Sequence, residues 1–371
     1  MTTKKKLHVG LIFGGRSGEH EVSLMSARSV LSVLDPAKYE VEQIGITPTG
    51  QWLTGEDVLS KFESGKLAGL VPAFVLPDPS LPGLLMLHEK MLEKLSDIDI
   101  YFPLLHGTFG EDGTIQGVFE MAGAGYVGAG VLGSSVGMDK GLFKDVMQAH
   151  GIPVVDWMLA MRSEIEKDIN GVMQRVEELS PYPVFTKPAN LGSSVGITKC
   201  TSRSDLQEGL MEASLYDRRL LVEHGIAHAR EIEVSVLGND DPRASVPGEV
   251  IPSREFYSYE AKYIDGTSGL LIPAPVDPAI TRRVQDLAVR AFKAVDAAGM
   301  ARVDFLLDAD TDTVYLNELN TIPGFTKISM YPKLWEASGI PYGPLVDRLI
   351  ELAAQRKSER DRTTHSYRSR A

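Results

Sequence analysis

A pair of predicted β-strands near the carboxyl end of the chain carries the polar side chains with the clearest chemical pattern. The strands span 301–307 and 314–320, and an aspartate-rich segment joins them. Because side chains alternate between the two faces of a strand, the polar residues of each strand share one face and apolar residues fill the other. The polar side chains in question are Arg302, Asp304, Glu318 and Asn320.

Pairing of these two strands brings carboxylates close together. With a turn centred near Thr311, Asp304 lies opposite Asn317 or Glu318, depending on the register. Carboxylates that face each other on a sheet repel, and a divalent cation removes the repulsion. Carboxylate and amide oxygens suit Mg²⁺ that is shared with substrate phosphates. The hairpin therefore predicts a magnesium site, and a solvated hairpin face is the alternative.

A glycine-rich loop, 187–196, joins two further predicted strands. Its small residues would let backbone N–H groups approach a phosphate, and Lys187 would add a cation. The sequence contains no Walker A pattern, so this is a phosphate loop of another kind or a plain hairpin loop.

Lys140 opens a predicted helix after a glycine-rich segment, 130–139, that we interpret as a hinge. A surface lysine is the alternative. Glu223 precedes a short connector of the kind that can present backbone groups to an adenine ring.

Two residues follow predicted strands of the amino-terminal region. The glycine turn at 14–18 comes after a strand at 7–13, but it does not match the GxGxxG dinucleotide pattern. Glu19 follows that turn near a helix start, and His106 follows the strand 98–104. Both should lie in the crevice at the carboxyl edge of a sheet. A histidine held in a purely structural role is the alternative for His106.

Short β-rich segments alternate with amphipathic helical patterns along the chain, which predicts mixed α/β layers. Residues 1–128 are expected to form an open, doubly wound parallel unit, followed by a β-rich lobe with two helices and a second β-rich region. We interpret 53–82 as a small peripheral excursion and the tyrosine-rich segment 253–268 as a long functional loop. The polar segment 356–371 is expected to be a frayed tail.

Composition limits the classes of partner. The net charge of −12 over 371 residues argues against a broad nucleic-acid surface. No apolar run approaches the roughly 20 residues that span a bilayer, and the apolar segment 7–13 is too short for a signal peptide. We therefore expect neither a nucleic-acid nor a membrane partner. The single cysteine, Cys200, excludes an internal disulfide, favours a cytoplasmic location and is interpreted as a small buried residue.

Taken in order, these motifs resemble the D-alanine–D-alanine ligases of the ATP-grasp superfamily, from about residue 9 to residue 346. The segments that carry the resemblance are 13–23, 106–113, 138–140, 187–196, 259–263, 301–304 and 317–331. The resemblance implies a three-domain α/β fold in which two ATP-grasp lobes sandwich ATP. The implied units are an amino-terminal substrate domain (1–128), a central lobe (129–223), a carboxyl-terminal lobe with the metal site and closing loop (224–355) and a polar tail (356–371).

The resemblance also implies roles for individual residues. Those similar to the ATP-binding residues of the family are Lys140, Lys187, Gly192, Ser193, Ser194, Glu223, His224, Ile226, Glu231 and Lys262. Those similar to its metal ligands are Asp304, Glu318 and Asn320. Two Mg²⁺ or Mn²⁺ ions and ATP are the implied cofactor and co-substrate set, with a monovalent cation as a further candidate.

The substrate-binding and catalytic residues implied by the resemblance come from all three units. Glu19 is similar to the residue that binds the ammonium of the first D-alanine, with His106 beside it, and Ser329 to the one that binds the carboxylate of the second. The residues that resemble the catalytic set are Glu19, Ser193, Tyr263, Arg302 and Gly324. Arg302 and the Gly324 N–H are the implied oxyanion donors, and Tyr263 is expected to bond to Ser193 and Glu19 when the loop closes.

The implied activity is the ATP-dependent ligation of two D-alanines through a D-alanyl phosphate, for peptidoglycan precursors, by a cytoplasmic homodimer. Tyr263 favours D-alanine as acceptor, because related ligases that use D-lactate often have Phe at that position. Another ATP-grasp carboxylate–amine ligase and a D-alanine–D-lactate ligase are the nearest alternatives. A nicotinamide dehydrogenase is an alternative from another class, and it would have no use for Asp304, Glu318 and Asn320. A non-catalytic nucleotide-binding protein is a further alternative, and the intact Arg302, metal set and loop argue against it.

Overall fold

A computed structural model describes residues 5–192, 195–251, 269–326 and 328–364. The described elements form three sheets flanked by helices. In this part of the chain, none of the helices combines the length and the apolar content that crossing a bilayer would require.

The first sheet is formed by residues 7–126. Its strands are β1 (Leu7–Gly14), β2 (Tyr39–Ile46), β3 (Trp52–Thr54), β4 (Val71–Phe74), β5 (Leu84–His88), β6 (Met91–Ser96), β7 (Ile100–Pro103) and β8 (Gly125–Tyr126), and its helices are α1 (His20–Leu31), α2 (Val58–Glu63) and α3 (Thr114–Met121). The strand order is β6-β5-β4-β3-β2-β1-β7-β8. Strands β2, β1, β7 and β8 are parallel, which confirms the predicted parallel unit.

The apolar sequence of strand β1 explains its central position in this sheet. Its residues Val9, Leu11, Ile12 and Phe13 are completely buried, as expected for a central parallel strand covered on both faces. The interpretation of 53–82 as a peripheral excursion was wrong in part. Strand β3 pairs antiparallel with β2, and β4 pairs antiparallel with β3, so this segment extends the sheet instead of leaving it.

The second sheet belongs to the middle of the chain. Its strands are β9 (Trp157–Met161), β10 (Val184–Pro188), β11 (Thr198–Cys200) and β12 (Arg219–His224), in the antiparallel order β11-β10-β12-β9. Helices α6 (Arg162–Leu179) and α7 (Arg203–Tyr216) cover one side of it, as predicted for a β-rich lobe with two helices. Cys200 is buried within this core, which confirms its interpretation as a small buried residue.

Helices α4 (Val131–Met138) and α5 (Lys140–Ala149) precede the second sheet. The hinge predicted at 130–139 was wrong, because most of that segment is helix α4. Its glycines serve close packing: a Cβ at Gly133 would lie 3.0 Å from the Asp296 carbonyl oxygen, and one at Gly137 would lie 3.4 Å from the Leu319 carbonyl oxygen. These contacts lie far away in sequence, so the local pattern could not reveal them.

The third sheet forms the carboxyl-terminal part. Its strands are β13 (Ala229–Gly238), β14 (Arg243–Ala244), β15 (Gly248–Ile251), β16 (Gly269–Leu271), β17 (Gly299–Asp308) and β18 (Val314–Asn320), in the order β16-β15-β13-β17-β18 with β14 beside β13. Helices α8 (Pro278–Ala294), α9 (Met330–Ala337) and α10 (Tyr342–Arg360) complete it. The predicted hairpin of β17 and β18 is confirmed.

Helix α10 connects the last part of the chain to the first sheet. It continues to Arg360, so the prediction of a frayed tail from residue 356 was wrong for its first turn. Arg356 and Arg360 form ion pairs with Glu120 at 3.2 and 3.0 Å, and Arg356 also donates to the hydroxyl of Tyr126 at 3.0 Å. These bonds fix the helix end, because each guanidinium has acceptors on α3 or β8.

Candidate active site

One cleft lies where the three sheets meet. It opens at the carboxyl ends of β1 and β7 and is closed by hairpin β17–β18 and the turn that follows it. Nine of the predicted site residues line it: Glu19, His106, Lys140, Gly192, Arg302, Glu318, Asn320, Gly324 and Ser329. Glu111 and Glu233, which the sequence analysis did not single out, line it as well.

The Glu19 carboxylate lies at the crossing of two glycine-containing loops. Glu19 precedes helix α1 and is only 8% exposed. A Cβ at Gly107 would lie 2.5 Å from its Oε2 atom, and a Cβ at Gly192 would lie 3.0 Å from the same atom. Gly107 also has a positive φ of 72°, which favours glycine. The two loops can therefore surround this carboxylate only because they carry glycine there.

His106 is a buried, neutral hydrogen-bonding bridge. Its Nδ1 atom lies 3.0 Å from the Ile322 carbonyl, which can only accept, so Nδ1 carries the proton. Its Nε2 atom then accepts from the hydroxyl of Ser26 at 2.9 Å. Burial lowers the pKa of His106, which agrees with a neutral ring. The predicted position at the carboxyl edge of β7 is confirmed.

Glu111 joins two segments that are far apart in sequence. Its Oε2 atom accepts from the Gly107 N–H at 2.8 Å, and its Oε1 atom accepts from the Ile322 N–H at 3.1 Å. Burial, and next the charge of Glu19, raise the pKa of Glu111 to about 8. The sequence signal for this residue was its place in the glycine-rich segment directly after β7.

The hairpin register answers the question that the sequence left open. Asp304 pairs with Glu318, because an irregularity between Asp304 and Phe305 displaces Asn317 from the ladder. Arg302 lies opposite Asn320. The apolar residues Val303, Phe305 and Leu319 are buried, so the predicted division of the two faces is confirmed.

Arg302 neutralises the acidic side chains of this face. Its Nε and Nη2 atoms donate to the two Asp304 carboxylate oxygens at 2.8 and 2.6 Å, and Nε lies 2.9 Å from Glu233 Oε2. Burial opposes its charge, but Asp304 and Glu233 outweigh burial and raise the pKa of Arg302 above its ordinary value. The Asn320 amide donates to Asp304 at 3.0 Å. Arg302 is thus a fully charged donor held at the edge of the cleft.

Three lysines gather beside the glycine-rich loop. Lys140 begins α5 after Asp139, whose carboxylate caps that helix, and its Nζ atom donates to the Leu191 carbonyl at 2.6 Å. Lys187, on β10, and Lys144, on α5, both contact the Glu223 carboxylate. Burial would raise the pKa of Glu223, but these two lysines lower it to about 2. The sequence analysis did not identify Lys144, because its partner comes from a distant strand.

The remaining predicted nucleotide residues lie near the end of β12 and on β13. The His224 N–H donates to the Asp156 carbonyl at 2.8 Å, and its ring lies 2.6 Å from the Ser180 hydroxyl. Ile226 is half-buried in the turn that follows, and Glu231 is half-buried on β13. These three residues do not line the cleft described above.

The turn after β18 supplies the last wall of the cleft. Gly324 is buried there, and Ser329 precedes helix α9. The Ser329 hydroxyl accepts from the Thr326 N–H at 3.1 Å and lies 2.8 Å from the Thr326 hydroxyl. Ser193, Ser194, Lys262 and Tyr263 lie outside the described residues, as does the whole of the expected loop 253–268. The expected bonds of Tyr263 therefore stay predictions.

Comparison with known proteins identifies the family. Residues 8–129 match the family described as "D-ala D-ala ligase N-terminus", and residues 146–351 match "D-ala D-ala ligase C-terminus". A D-alanine–D-alanine ligase of Natranaerobius thermophilus is 50% identical over 98% of this chain and 99% of its own length. One of Heliobacterium modesticaldum is 49% identical over 96% and 97%.

Solved structures agree with the sequence comparison. The D-alanine–D-alanine ligase from Coxiella burnetii has a TM-score of 0.83 and 37% identity, covering 96% of this chain and 97% of the other. The VanG D-Ala:D-Ser ligase from Enterococcus faecalis has a TM-score of 0.84 and 34% identity, covering 94% and 100%. The fold is that of an ATP-grasp enzyme that forms a bond between two substrates. The chain belongs to the D-alanine–D-alanine ligase family.

Proposed function

We propose that this ligase joins two D-alanines into D-alanyl-D-alanine, with cleavage of ATP to ADP and phosphate, for peptidoglycan precursor synthesis. The observation that carries the proposal is the convergence of nine predicted site residues on one cleft. Such a reaction needs a partner for an ammonium, a partner for a carboxylate, donors for an oxyanion and cations for phosphates. The cleft and its surroundings contain a candidate for each.

In the first step, the carboxylate of the first D-alanine attacks the γ-phosphorus of ATP, ADP leaves, and D-alanyl phosphate forms. Glu19 is the partner for the substrate ammonium, and His106 adds no opposing charge because its ring is neutral. Lys140 and Lys187 are the proposed phosphate-binding cations, with Lys262 as the predicted third. Lysines stabilise phosphoryl transfer by neutralising charge on the transferred group.

In the second step, the amine of the second D-alanine attacks the acyl carbon, a tetrahedral oxyanion forms, and phosphate leaves. Arg302 and the Gly324 N–H are the proposed oxyanion donors, which typically contribute a few kcal/mol each to such a transition state. Ser329 is the proposed partner of the second carboxylate. Gly324, Ser329 and Arg302 all line the same cleft.

The hairpin face fits a divalent cation. Asp304, Glu318 and Asn320 present carboxylate and amide oxygens from paired positions of β17 and β18. Within the described ranges, no three His, Cys, Asp or Glu residues could hold a metal by themselves. Nucleotide phosphates would supply the other ligands, as Mg²⁺ prefers. Two Mg²⁺ or Mn²⁺ ions bound there would neutralise charge on the transferred phosphoryl group, and a monovalent cation is a further candidate.

The finer assignments rest on the family resemblance. The adenine and ribose contacts fall to Glu223, His224, Ile226 and Glu231, and the phosphate loop to Gly192, Ser193 and Ser194. Tyr263 is proposed to select D-alanine over D-lactate and to bond to Ser193 and Glu19 on closure. We place the domains at 1–128, 129–223 and 224–355, followed by a tail to 371, and propose that the enzyme is a cytoplasmic homodimer.

The test is phosphate release from ATP with Mg²⁺ and D-alanine, with the product mass read in parallel. Release that matches formation of D-alanyl-D-alanine is the expected result. Arms with D-alanine plus D-lactate and D-alanine plus D-serine test the acceptor, and L-alanine is the control. A depsipeptide, or a D-alanyl-D-serine product formed in preference, would overturn the acceptor assignment. Folded protein that binds ATP but shows no turnover with D-alanine would overturn the proposed function.

A further inference from the structure

The Glu223 carboxylate has two cationic partners that differ in their surroundings. Lys144 Nζ lies 3.1 Å from Glu223 Oε2, and Lys187 contacts Oε1. The Lys144 side chain is 1% exposed and that of Glu223 is 3% exposed, whereas Lys187 is 12% exposed. One partner is therefore enclosed in the interior, and the other is partly exposed to solvent.

The charges of this cluster do not balance internally. Two lysines share the Glu223 carboxylate, and Lys140 lies close by with its Nζ atom bonded to the Leu191 carbonyl and with Glu318 as a nearby acid. Three lysines thus face two carboxylates, which leaves one positive charge in excess. Buried charges are retained in proteins when they are paired. An anion that enters beside Lys187 would complete the pairing, and a nucleotide phosphate has the required charge.

Moving Lys187 to a phosphate would remove one counter-ion from Glu223. Removing one partner of a buried ion pair is strongly unfavourable, because it leaves a buried charge without compensation. Lys144 prevents that outcome, because it remains beside the carboxylate. Lys187 can then leave Glu223 and bind a phosphate, because Lys144 still neutralises the Glu223 carboxylate.

We propose that Lys144 is a positioning residue for nucleotide binding: it stays with Glu223 as the permanent counter-ion and so releases Lys187 to bind a nucleotide phosphate. This inference rests on the proposed function, in which Lys187 binds ATP. It differs from a purely structural role, in which Lys144 stabilises the lobe and affects all ligands equally.

The experiment measures dissociation constants of ADP and of adenosine by calorimetry on the full chain. The variants are Lys144→Met, Lys187→Met, the double variant of both, and Lys144→Met combined with Glu223→Gln. Lys167→Met, an exposed lysine on α6, is the matched control. If Lys144→Met does not fold, Lys144→Gln replaces it in the same set.

We expect Lys144→Met to weaken ADP binding by about tenfold or more, the size of one charged hydrogen bond, and to change adenosine binding by less than about twofold. The double lysine variant should bind ADP about as weakly as Lys187→Met alone, since both changes remove the same phosphate contact. Adding Glu223→Gln to Lys144→Met should restore ADP affinity relative to adenosine, because Lys187 is no longer held back.

Two results in the binding experiment would overturn the inference, and a third is given by comparison with the unaltered enzyme. One is an equal loss of ADP and adenosine affinity in Lys144→Met, and the other is no recovery in the combined variant with Glu223→Gln. Failure of the proposed function is distinguishable, because the unaltered enzyme would then show no ADP binding or no D-alanine-dependent phosphate release. An active unaltered enzyme with an unaffected Lys144→Met variant would overturn the inference alone.

Discussion

Replacement of Glu111 tests whether the first sheet and the turn after β18 are held together by one carboxylate. Each of its oxygens accepts one backbone N–H, from Gly107 and from Ile322. Because its pKa is raised to about 8, Glu111 is mostly neutral at pH 7. A neutral hydrogen bond contributes about 0.5–1.5 kcal/mol, so Glu111→Ala should remove about 1–3 kcal/mol of contact between these segments. Glu111→Gln keeps one acceptor oxygen and should lose about half as much.

The effect should appear first in substrate binding. The Ile322 carbonyl also accepts from His106, so loosening this turn displaces the wall next to Glu19. We expect Glu111→Ala to raise the KM for D-alanine at the first subsite at least tenfold and the KM for ATP much less. Glu21→Gln, an exposed acid on α1, is the control. Equal changes in both KM values, or no change in either, would refute the reasoning.

The same residue should give a pH-dependent stability. Because burial and Glu19 raise the pKa of Glu111 to about 8, the folded state binds more protons than the unfolded state between about pH 4.5 and pH 8. This group therefore makes stability fall as the pH rises through that window. Melting temperatures from pH 5 to 8.5 should show a shallower fall in Glu111→Gln than in the unaltered protein. An identical slope in the two proteins would contradict the pKa assignment.

Three further predictions concern single sites. Arg302→Met should cost about 3–5 kcal/mol of stability in thermal or urea unfolding, because Asp304 and Glu233 lose a buried counter-ion. Arg302→Lys should recover stability better than it recovers kcat. Asp304→Asn and Glu318→Gln should raise the Mg²⁺ concentration needed for half-maximal activity, measured by metal titration, whereas Asp310→Asn in the exposed hairpin turn should not. Burial raises the pKa of Cys200 to about 11, so iodoacetamide at pH 8 should modify this thiol only after unfolding. Intact mass measures the labelling, and rapid labelling of the folded protein would contradict the prediction.

Local periodicity predicted the parts of the fold that depend on neighbours in sequence. Strand β1 and hairpin β17–β18 followed from apolar runs and alternation, and the placement of Asp304 and Glu318 on one face followed from the same alternation. The register required the structure, because the irregularity after Asp304 has no local signature. The glycines of α4 were read as a hinge, whereas Gly133 permits contact with a segment more than one hundred residues away.

The site residues that the sequence analysis missed share one property. Glu111 bonds to Ile322, which lies 211 residues further along the chain, and Lys144, on helix α5, pairs with Glu223 on strand β12. Neither residue belongs to a local sequence pattern that predicts its partner. Residues such as Glu19 and His106 could be predicted because parallel strands bring their carboxyl ends to one edge, which is a general property of such sheets.

The charges around the cleft give an independent reason for a divalent cation in this chemistry. Among the described residues that line it, four are acids and two are bases: Glu19, Glu111, Glu233, Glu318, Lys140 and Arg302. Glu111 is mostly neutral at pH 7, but a triphosphate would still meet repulsion from Glu19, Glu233 and Glu318, which the nearby bases offset only in part. Since Arg302 is already engaged by Asp304 and Glu233, the free cationic charge is smaller still. In the proposed reaction, Mg²⁺ bound to the nucleotide would reduce this repulsion by lowering the net negative charge, and the hairpin would offer it oxygen donors.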